Sequence, residues 1–273
     1  MISFPNAKIN IGLNVIRRRN DGFHDIETIF YPVKLCDILE IIENPEGDHM
    51  PLFHNTGLLI DVPLDKNICV KAFRLLQKDL KLPEISIHLH KIVPFGAGLG
   101  GGSSDAMFII SLLDKLFSLD LNDEKIRNYA LNLGSDCVFF SINKPVMAKG
   151  RGELIEQVDL RLTGYNIIIV KPPFNISTIE AYSEVIPNNP KYNLKESIQK
   201  PVEKWTETIT NDFEKHLFLK YPELPKIKEK LYRIGALYAS LSGSGSAVYG
   251  IFKDEHNIEG WFPGCFVWQG ILE

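Results

Sequence analysis

The sequence has few of the features that mark secreted, membrane or nucleic-acid-binding proteins. Its four cysteines lie far apart in 273 residues and include no CxxC pair, so neither a disulfide framework nor a set of metal ligands is predicted. No apolar run approaches the roughly 20 residues that span a bilayer, and the N-terminal MISFPNAKIN lacks the basic and apolar regions of a signal peptide. The formal net charge of −4 creates no field that would attract nucleic acid. These absences predict a cytoplasmic protein that binds neither nucleic acid nor a membrane.

The hydrophobic pattern predicts a mixture of strands and helices. Residues 7–15 (AKINIGLNV) alternate between apolar and polar side chains, which indicates a half-buried strand whose polar face carries Lys8 and Asn10. Further strands are predicted over 24–33, 39–42, 58–62, 84–93, 146–148, 165–170, 237–241 and 247–252, and helices from 104 and over 67–80, 123–133, 205–216 and 223–234. This mixture predicts an α+β fold of two-layer sandwich domains. We expect an N-terminal domain over residues 1–155 and a C-terminal domain over residues 156–273.

The most distinctive segment is glycine-rich. Residues 94–108 (PFGAGLGGGSSDAMF) place five glycines and two serines between a predicted strand and a predicted buried helix. Consecutive glycines allow backbone N–H groups to turn toward a ligand. The N-terminus of the following helix attracts phosphate through its unpaired amides and partial positive charge, and Ser103 and Ser104 add hydroxyl groups. The segment therefore favours a binding site for the phosphates of a nucleoside triphosphate over a loop without a ligand.

Two other glycine-rich phosphate motifs do not fit this segment. Gly96, Gly98 and Gly101 match G-x-G-x-x-G, but a dinucleotide-binding fold requires a second strand that ends in an acid about 20 residues later. The region after residue 104 is instead predicted to form two helices. A Walker A loop requires a lysine directly after the glycines, and none is present. An NAD-dependent oxidoreductase is therefore disfavoured.

Two charged residues suit phosphoryl transfer. Lys8 lies on the polar face of the first strand, and Asp136 precedes the apolar run Val138–Phe140. An aspartate accepts the proton of an attacking hydroxyl group, and a lysine stabilises developing negative charge. The alternatives are a solvated strand face for Lys8 and a helix cap for Asp136, and the residues themselves do not separate these interpretations.

Phe23 and His24 follow a hairpin turn signal, Asn20-Asp21-Gly22. A ring pair of this kind is suited to bind a planar base by stacking and hydrogen bonding, although a surface histidine is the simpler alternative. Near the C-terminus, residues 242–246 (SGSGS) indicate either a tight turn or a second glycine-rich surface that faces a substrate.

Taken in order, these motifs resemble those of the GHMP kinases. The loop Pro94–Ser104 matches the family's Pro-x-x-x-Gly-Leu-Gly pattern followed by two serines. Three further segments are similar to one branch of the family, whose members phosphorylate a cytidine-diphosphate-linked methylerythritol in the non-mevalonate route to isoprenoid precursors. They are PNAKINIGLNV with NDGFHDIETIF, NLGSDCVFF, and LSGSGSAVYGIF. The similarity covers nearly the whole chain.

The resemblance implies a GHMP-kinase-like fold of two domains, an active site in the cleft between them, and ATP-dependent phosphorylation of the 2-hydroxyl group of that substrate. ATP would enter with Mg²⁺ carried on the nucleotide. By position, Lys8 and Asp136 match the family's catalytic pair. The residues that match ATP-binding positions are Pro94, Gly96, Ala97, Gly98, Leu99, Gly100, Gly101, Gly102, Ser103 and Ser104, and those that match substrate-binding positions are Asn10, Phe23, His24, Thr178 and Tyr182.

Three positions depart from the family's pattern. Phe23 stands where a tyrosine is usual, which keeps the ring and removes a hydroxyl group, and Cys137 and Val138 stand where valine and proline are usual. Two alternatives on the same fold remain. One is another small-molecule kinase of the homoserine or mevalonate type, whose substrate has no base for His24 to bind. The other is a non-catalytic nucleotide-binding regulator, which would have no need for both Lys8 and Asp136.

Overall fold

The computed structural model describes residues 1–44 and 52–273, and its contacts divide the chain into two compact units. The first unit contains residues 1–7, 35–94 and 100–143, and the second contains residues 8–34, 95–99 and 144–273. Each unit collects segments that are distant in sequence, because strands from different parts of the chain pair in its sheets. The division into domains of residues 1–155 and 156–273 stays a prediction.

The first unit is one sheet covered by helices. Its strands, in the order in which they pair, are β1 (Ile2–Ser3), β4 (Ile38–Glu43), β6 (Ile85–Lys91) and β5 (Phe53–Gly57). The pairs are antiparallel except for β5 with β6, which is parallel. Its helices are α1 (Ile68–Leu80), α2 (Gly101–Phe117), α3 (Asp123–Leu133) and α4 (Ser135–Ile142), and a 3₁₀ helix (Leu64–Lys66) precedes them. α2 is the central helix, because it contacts the other three as well as β1 and β4.

The second unit contains two further sheets, apart from residues 6–7 and 35–36 at the ends of two of their strands, which are assigned to the first unit. One pairs β2 (Asn6–Arg18), β3 (His24–Cys36), β7 (Val146–Gly150) and β8 (Leu154–Gln157), and the other pairs β10 (Tyr238–Leu241), β11 (Val248–Phe252), β9 (Asn166–Lys171) and β12 (Phe266–Ile271). Its helices are α5 (Thr178–Ser183), α6 (Leu194–Ser197), α7 (Glu214–Lys220) and α8 (Glu223–Arg233), with a 3₁₀ helix at Val202–Glu207. α8 packs on β10 and β11 and buries Leu224, Ile227 and Leu231.

Strand β2 is buried on both faces, so the prediction of a half-buried strand is wrong. Lys8 is 3% exposed and Asn10 is 2% exposed, although both belong to the polar face. Alternation in the sequence distinguishes the two faces of a strand, but it does not reveal that tertiary contacts cover the polar face as well.

Most predicted elements are confirmed within a few residues, and three differ. Helix α2 begins at Gly101 rather than Ser104, because Gly100 is its cap residue. The strand predicted over 58–62 is wrong, since the strand is Phe53–Gly57. The helix predicted over 205–216 is interrupted: residues 208–213 leave the helical path, and Asp212 accepts a hydrogen bond from the backbone of Val15 in β2 at 2.8 Å. Within the described residues, 1–44 and 52–273, no helix is both long enough and apolar enough to cross a bilayer.

Candidate active site

The ammonium group of Lys8 lies in a buried polar network of the second unit. Its Nζ donates to Oδ1 of Asn10 at 2.5 Å and to the carbonyl oxygen of Gly98 at 3.1 Å, and it lies 4.7 Å from the centre of the Phe30 ring. The backbone N–H of Lys8 also donates to the carbonyl of Leu99 at 2.9 Å. These contacts exclude the solvated strand face and bring Lys8, Asn10 and the glycine loop together.

The first half of the glycine loop packs on residues 242–247. Ser246 and Ala247 donate backbone hydrogen bonds to the carbonyls of Gly96 and Ala97, and Oγ of Ser242 donates to the carbonyl of Gly98 at 2.9 Å. Gly98 has φ +71°, and a Cβ atom there would lie 1.9 Å from the carbonyl oxygen of Ser242. The SGSGS segment is therefore a turn between β10 and β11 on which the loop packs, and the protein's own backbone excludes a side chain at Gly98.

The second half of the loop begins α2 in the first unit, where Pro94 is also buried. Gly100 caps the helix with φ +71°, and a Cβ atom at Gly101 would lie 2.9 Å from Cγ1 of Val93. A Cβ atom at Gly102 would have its nearest neighbour at 3.7 Å, an ordinary contact with Ile68. The fold thus excludes a side chain at Gly101 but leaves room for one at Gly102.

The first turn of α2 has the features of an anion-binding site. The first amides of a helix have no partner within it, and the first hydrogen bond of α2 runs from the N–H of Ser104 to the carbonyl of Gly100 at 2.9 Å. The N–H groups of Gly101, Gly102 and Ser103 come before this first hydrogen bond and have no partner within the helix. The helix dipole adds partial positive charge at the same end of α2. Ser104 is fully buried, whereas Ser103 is half-buried and hydrogen-bonds the thiol of Cys137.

A buried ionic cluster lies directly beneath this turn. Nζ of Lys91 donates to Asp37 at 2.5 Å and to Asp105 at 2.6 Å, and a Cβ atom on Gly101 would lie 3.0 Å from the same Nζ. The other oxygen of Asp37 accepts hydrogen bonds from the N–H groups of Ile92 and Val93. Because the cluster joins β6, α2 and the residue before β4, it holds the start of α2 to the sheet.

Burial and neighbouring charges shift the pKa values of two members of this cluster, Asp105 and Lys91. Burial raises the pKa of Asp105 to about 8, so this carboxyl group is protonated near pH 7. Burial acts to lower the pKa of Lys91, but the two neighbouring carboxyl groups outweigh it and raise the pKa. Both shifts reduce the excess of negative charge in a site where an unpaired charge would be costly.

Asp136 is the second residue of α4, and its side chain is half-buried. Gly134 occupies the cap position of this helix, so the interpretation of Asp136 as a helix cap is wrong. The residues that follow, Cys137 to Phe140, are buried, and α4 packs on α2 within the first unit. This packing anchors the start of α4, where Asp136 keeps part of its surface exposed.

The predicted base-binding residues lie in the second unit. The rings of His24 and Tyr182 stack at 4.9 Å between centroids, with 24° between their planes, and Tyr182 also contacts Phe213 edge-on at 4.8 Å. Phe23 is 53% exposed and lies 4.8 Å from the guanidinium of Arg151. Thr178 is the first residue of α5, and its side chain is exposed.

The electrostatic surroundings of His24 suit recognition of a neutral base. Burial and the nearby charge of Arg18 lower the pKa of His24, so the neutral imidazole predominates near pH 7. A neutral imidazole has one donor and one acceptor nitrogen. The ring can therefore donate and accept at the same time while it stacks on Tyr182.

The sequence analysis missed two groups of buried polar residues. Asp37 lies 54 residues before Lys91, and Asp105 lies 14 residues after it, so no local pattern connects them. Thr28, in β3, is 0% exposed and hydrogen-bonds Asn10 at 2.9 Å. Its only signal in the sequence is a polar residue among the apolar positions of HDIETIFYPV.

Known proteins with similar sequences belong to the family that the motifs indicate. Two family models match: the N-terminal domain of GHMP kinases over residues 67–144 and the C-terminal domain of GHMP kinases over residues 194–260. The chain is 47% identical over 274 residues to a 4-diphosphocytidyl-2-C-methyl-D-erythritol kinase from Bacteroides thetaiotaomicron, with 100% of both chains covered. It is 51% identical over 263 residues to the kinase of that name from Azobacteroides pseudotrichonymphae, with 96% of this chain and 97% of the relative covered.

Solved structures of kinases from this family also match the chain. A crystal structure of 4-(cytidine 5'-diphospho)-2C-methyl-D-erythritol kinase matches with a TM-score of 0.77 and 28% identity, over 92% of this chain and 90% of that one. The mevalonate kinase of Methanococcus jannaschii matches with a TM-score of 0.70 and 15% identity, over 100% of this chain and 98% of that one, which shows a common fold. The predicted two-domain α+β fold is confirmed. The chain belongs to the GHMP kinase family.

Proposed function

We propose that the chain is a 4-diphosphocytidyl-2-C-methyl-D-erythritol kinase, an enzyme of isoprenoid precursor biosynthesis that transfers the γ-phosphoryl group of ATP to the 2-hydroxyl group of its substrate. The observation that carries the proposal is the full-length similarity to kinases of that name. Two features of the structure support it: the buried Lys8 donates a hydrogen bond to the glycine loop, and the rings of His24 and Tyr182 stack. Homoserine and mevalonate contain no base, so a kinase of either needs no such ring pair for its acceptor substrate.

The proposed reaction uses one acid–base group and one cation of the chain. The carboxylate of Asp136 accepts the proton of the 2-hydroxyl group as its oxygen forms a bond to the γ-phosphorus. The bond between that phosphorus and the β,γ-bridging oxygen breaks, and ADP leaves. The ammonium group of Lys8, held by Asn10 and the Gly98 carbonyl, stabilises the negative charge of the transferring group.

The glycine loop binds the nucleotide in this proposal. The amides of Gly101, Gly102 and Ser103 at the start of α2 are suited to hold phosphate oxygens. Mg²⁺ enters on ATP and neutralises part of its phosphate charge. The remaining residues of Pro94–Ser104 shape the loop, since Gly96, Ala97 and Gly98 accept hydrogen bonds from residues 242–247.

A coupled assay of ADP release tests the proposal. The purified chain is given Mg-ATP with 4-diphosphocytidyl-2-C-methyl-D-erythritol, homoserine or mevalonate, and ³¹P NMR of the product locates the new phosphate. We expect turnover with the cytidyl compound alone and a phosphomonoester at the 2-position. Turnover with homoserine or mevalonate instead would contradict the substrate, and ATP binding without turnover on any of the three would favour a regulator.

Gly102→Ala is expected to raise the KM for ATP by about tenfold, because a methyl group would occupy the space through which a phosphate reaches the first turn of α2. The fold has room for this methyl group, and alanine favours a helix over glycine by up to about 1 kcal/mol, so the melting temperature should not fall. Steady-state kinetics and thermal unfolding measure the two quantities.

Ser111→Ala is the matched control, since Ser111 is an exposed residue of the same helix. It should leave the KM for ATP unchanged. An unchanged KM in Gly102→Ala as well would show that no phosphate approaches this backbone.

His24→Ala is expected to raise the KM for the cytidyl substrate by about 10- to 100-fold, since stacking on a ring is worth about 1–3 kcal/mol per base. The KM for ATP should stay within about threefold, because the contacts of His24 with Tyr182 are separate from the glycine loop contacts. His256→Ala is a suitable control, as His256 also packs on a ring, that of Phe252, at 5.0 Å. Equal KM values for the cytidyl substrate in both variants would remove His24 from the base site.

Several finer assignments stay predictions within this proposal. They are the cytoplasmic location, the lack of nucleic-acid and membrane partners, Mg²⁺ as the accompanying ion, and the contacts of Phe23 and Thr178 with the substrate.

A further inference from the structure

A chain of hydrogen bonds behind Lys8 runs in one direction only. An ammonium group only donates, so the atom of Asn10 that faces Lys8 at 2.5 Å is the amide oxygen. The NH₂ group of Asn10 then points to Thr28 and donates to Oγ1 at 2.9 Å. Because Oγ1 of Thr28 accepts this bond, its own proton goes to the carbonyl oxygen of Gly12, at 2.6 Å.

The far end of this chain is anchored in backbone. Gly12 lies in the middle of β2 with φ +68°, a conformation that interrupts a regular strand. A Cβ atom there would lie 2.8 Å from side-chain atoms of Ile209 and Leu194, so the surrounding packing holds this peptide in place. Thr28 is 0% exposed, so bulk solvent does not reach its hydroxyl group.

The hydroxyl group of Thr28 decides which way the Asn10 amide points. Without it, the buried NH₂ group of Asn10 loses its acceptor, so keeping the amide oxygen toward Lys8 leaves an unsatisfied donor, which costs about 1–3 kcal/mol. A rotated amide would present NH₂ to the ammonium group and repel it. The position of Nζ over the Phe30 ring and against the Gly98 carbonyl therefore depends on a residue that does not touch Lys8.

We propose that Thr28 is a positioning residue that orients the Asn10 amide and thereby holds the Lys8 ammonium group against the glycine loop. The role of Lys8 in phosphoryl transfer rests on the proposed function, whereas the orientation of Asn10 and Lys8 does not. The two parts are tested by different measurements.

The activity test uses Thr28→Val, which keeps the shape of the side chain and removes the hydroxyl group, and Thr28→Ser, which keeps the hydroxyl group. We expect Thr28→Val to lower kcat by about 10- to 100-fold, with the KM values for ATP and the alcohol within about threefold. Thr28→Ser should restore kcat to within about threefold of the wild type. In a Lys8→Met background, Thr28→Val should lower kcat no further, because both changes act through the same ammonium group.

Thr208→Val is the matched control, because the hydroxyl group of Thr208 is buried and makes no hydrogen bond among the described residues. It should leave kcat unchanged. If Thr28→Val lowers only the melting temperature, with kcat per folded molecule as in the wild type, or if Thr28→Ser fails to rescue kcat, the proposal is overturned.

A second measurement is independent of the reaction. The ¹⁵N signals of the Asn10 side-chain amide and of Lys8 Nζ, assigned by their loss in Asn10→Asp and Lys8→Arg, should shift or broaden in Thr28→Val and stay in place in Thr28→Ser and Thr208→Val. Unchanged signals in Thr28→Val would overturn the positioning role. Failure of the wild type to phosphorylate any of the three alcohols would refute the proposed function, and these signals would then decide the role of Thr28.

Discussion

Asp136→Asn is expected to lower kcat by about 10²- to 10⁴-fold, the contribution of a positioned general base. The amide has the shape of the carboxylate but does not accept a proton from the attacking hydroxyl group. ATP binding should be spared, with a KM within about threefold of the wild type, because the proposed phosphate contacts come from α2.

Lys8→Met is expected to lower kcat by about 10²- to 10³-fold through the loss of charge stabilisation. Single-turnover kinetics with radiolabelled ATP measure the chemical step in both variants.

The control for Asp136→Asn is Asp123→Asn. Asp123 lies in the first turn of α3 as Asp136 lies in the first turn of α4, and both acids interact favourably with a helix N-terminus. If Asp136 served only its helix, the two variants would lose similar small amounts of stability, and both would keep their activity. Such an outcome would remove Asp136 from the reaction.

Lys91→Met is expected to lower the free energy of unfolding by about 3–5 kcal/mol, because it removes the cation between two buried carboxyl groups. Asp37 would keep its hydrogen bonds from Ile92 and Val93 but would lose its counter-charge. Equilibrium unfolding in urea at pH 7 measures the loss. Lys71→Met is the control, since Lys71 is an exposed residue of α1, and its change should stay within about 0.5 kcal/mol. If Lys91→Met lost no more stability than the Lys71→Met control, the cluster would not hold α2 to the sheet.

The same cluster predicts a pH dependence. The pKa of Asp105 rises to about 8 in the folded protein from about 3.9 in the unfolded chain, so the folded state binds the extra proton between these two values. The contribution of Asp105 to the free energy of unfolding is therefore largest below about pH 4 and is lost as the pH rises toward 8. Asp105→Asn removes the titrating group and should flatten this part of the curve of unfolding free energy against pH. An unchanged slope between pH 5 and pH 8 would contradict the protonated state of Asp105.

Local patterns in the sequence predicted most of the elements that form the site. The spacing of apolar residues in 67–80 and 123–133 predicted α1 and α3, and in the structure each helix begins directly after a capping asparagine. The order of the motifs around Lys8, Pro94–Ser104 and Asp136 identified the family, which the comparisons confirm. These features depend on residues that are near neighbours in the chain, so the sequence alone contains the information.

The partners of the candidate residues depended on the tertiary structure. Gly98 is required because the carbonyl of Ser242 lies against it, 144 residues away in sequence, and Lys8 is held by Gly98 and Asn10. A packing requirement and a bound phosphate both demand glycine, so the glycines in the sequence are compatible with either cause. Among the five glycines of the loop, only Gly102 is left without a structural reason.

The sequence by itself determined the type of most elements, the family, and the identity of the charged residues offered for chemistry. The tertiary structure alone decided that the polar face of β2 is buried, that Asp37, Lys91 and Asp105 share one cluster, and that Thr28 stands behind Asn10. The physical reason is that helix and strand preferences arise from neighbours a few residues apart, whereas burial and hydrogen-bond direction arise from segments that meet only when the chain has folded.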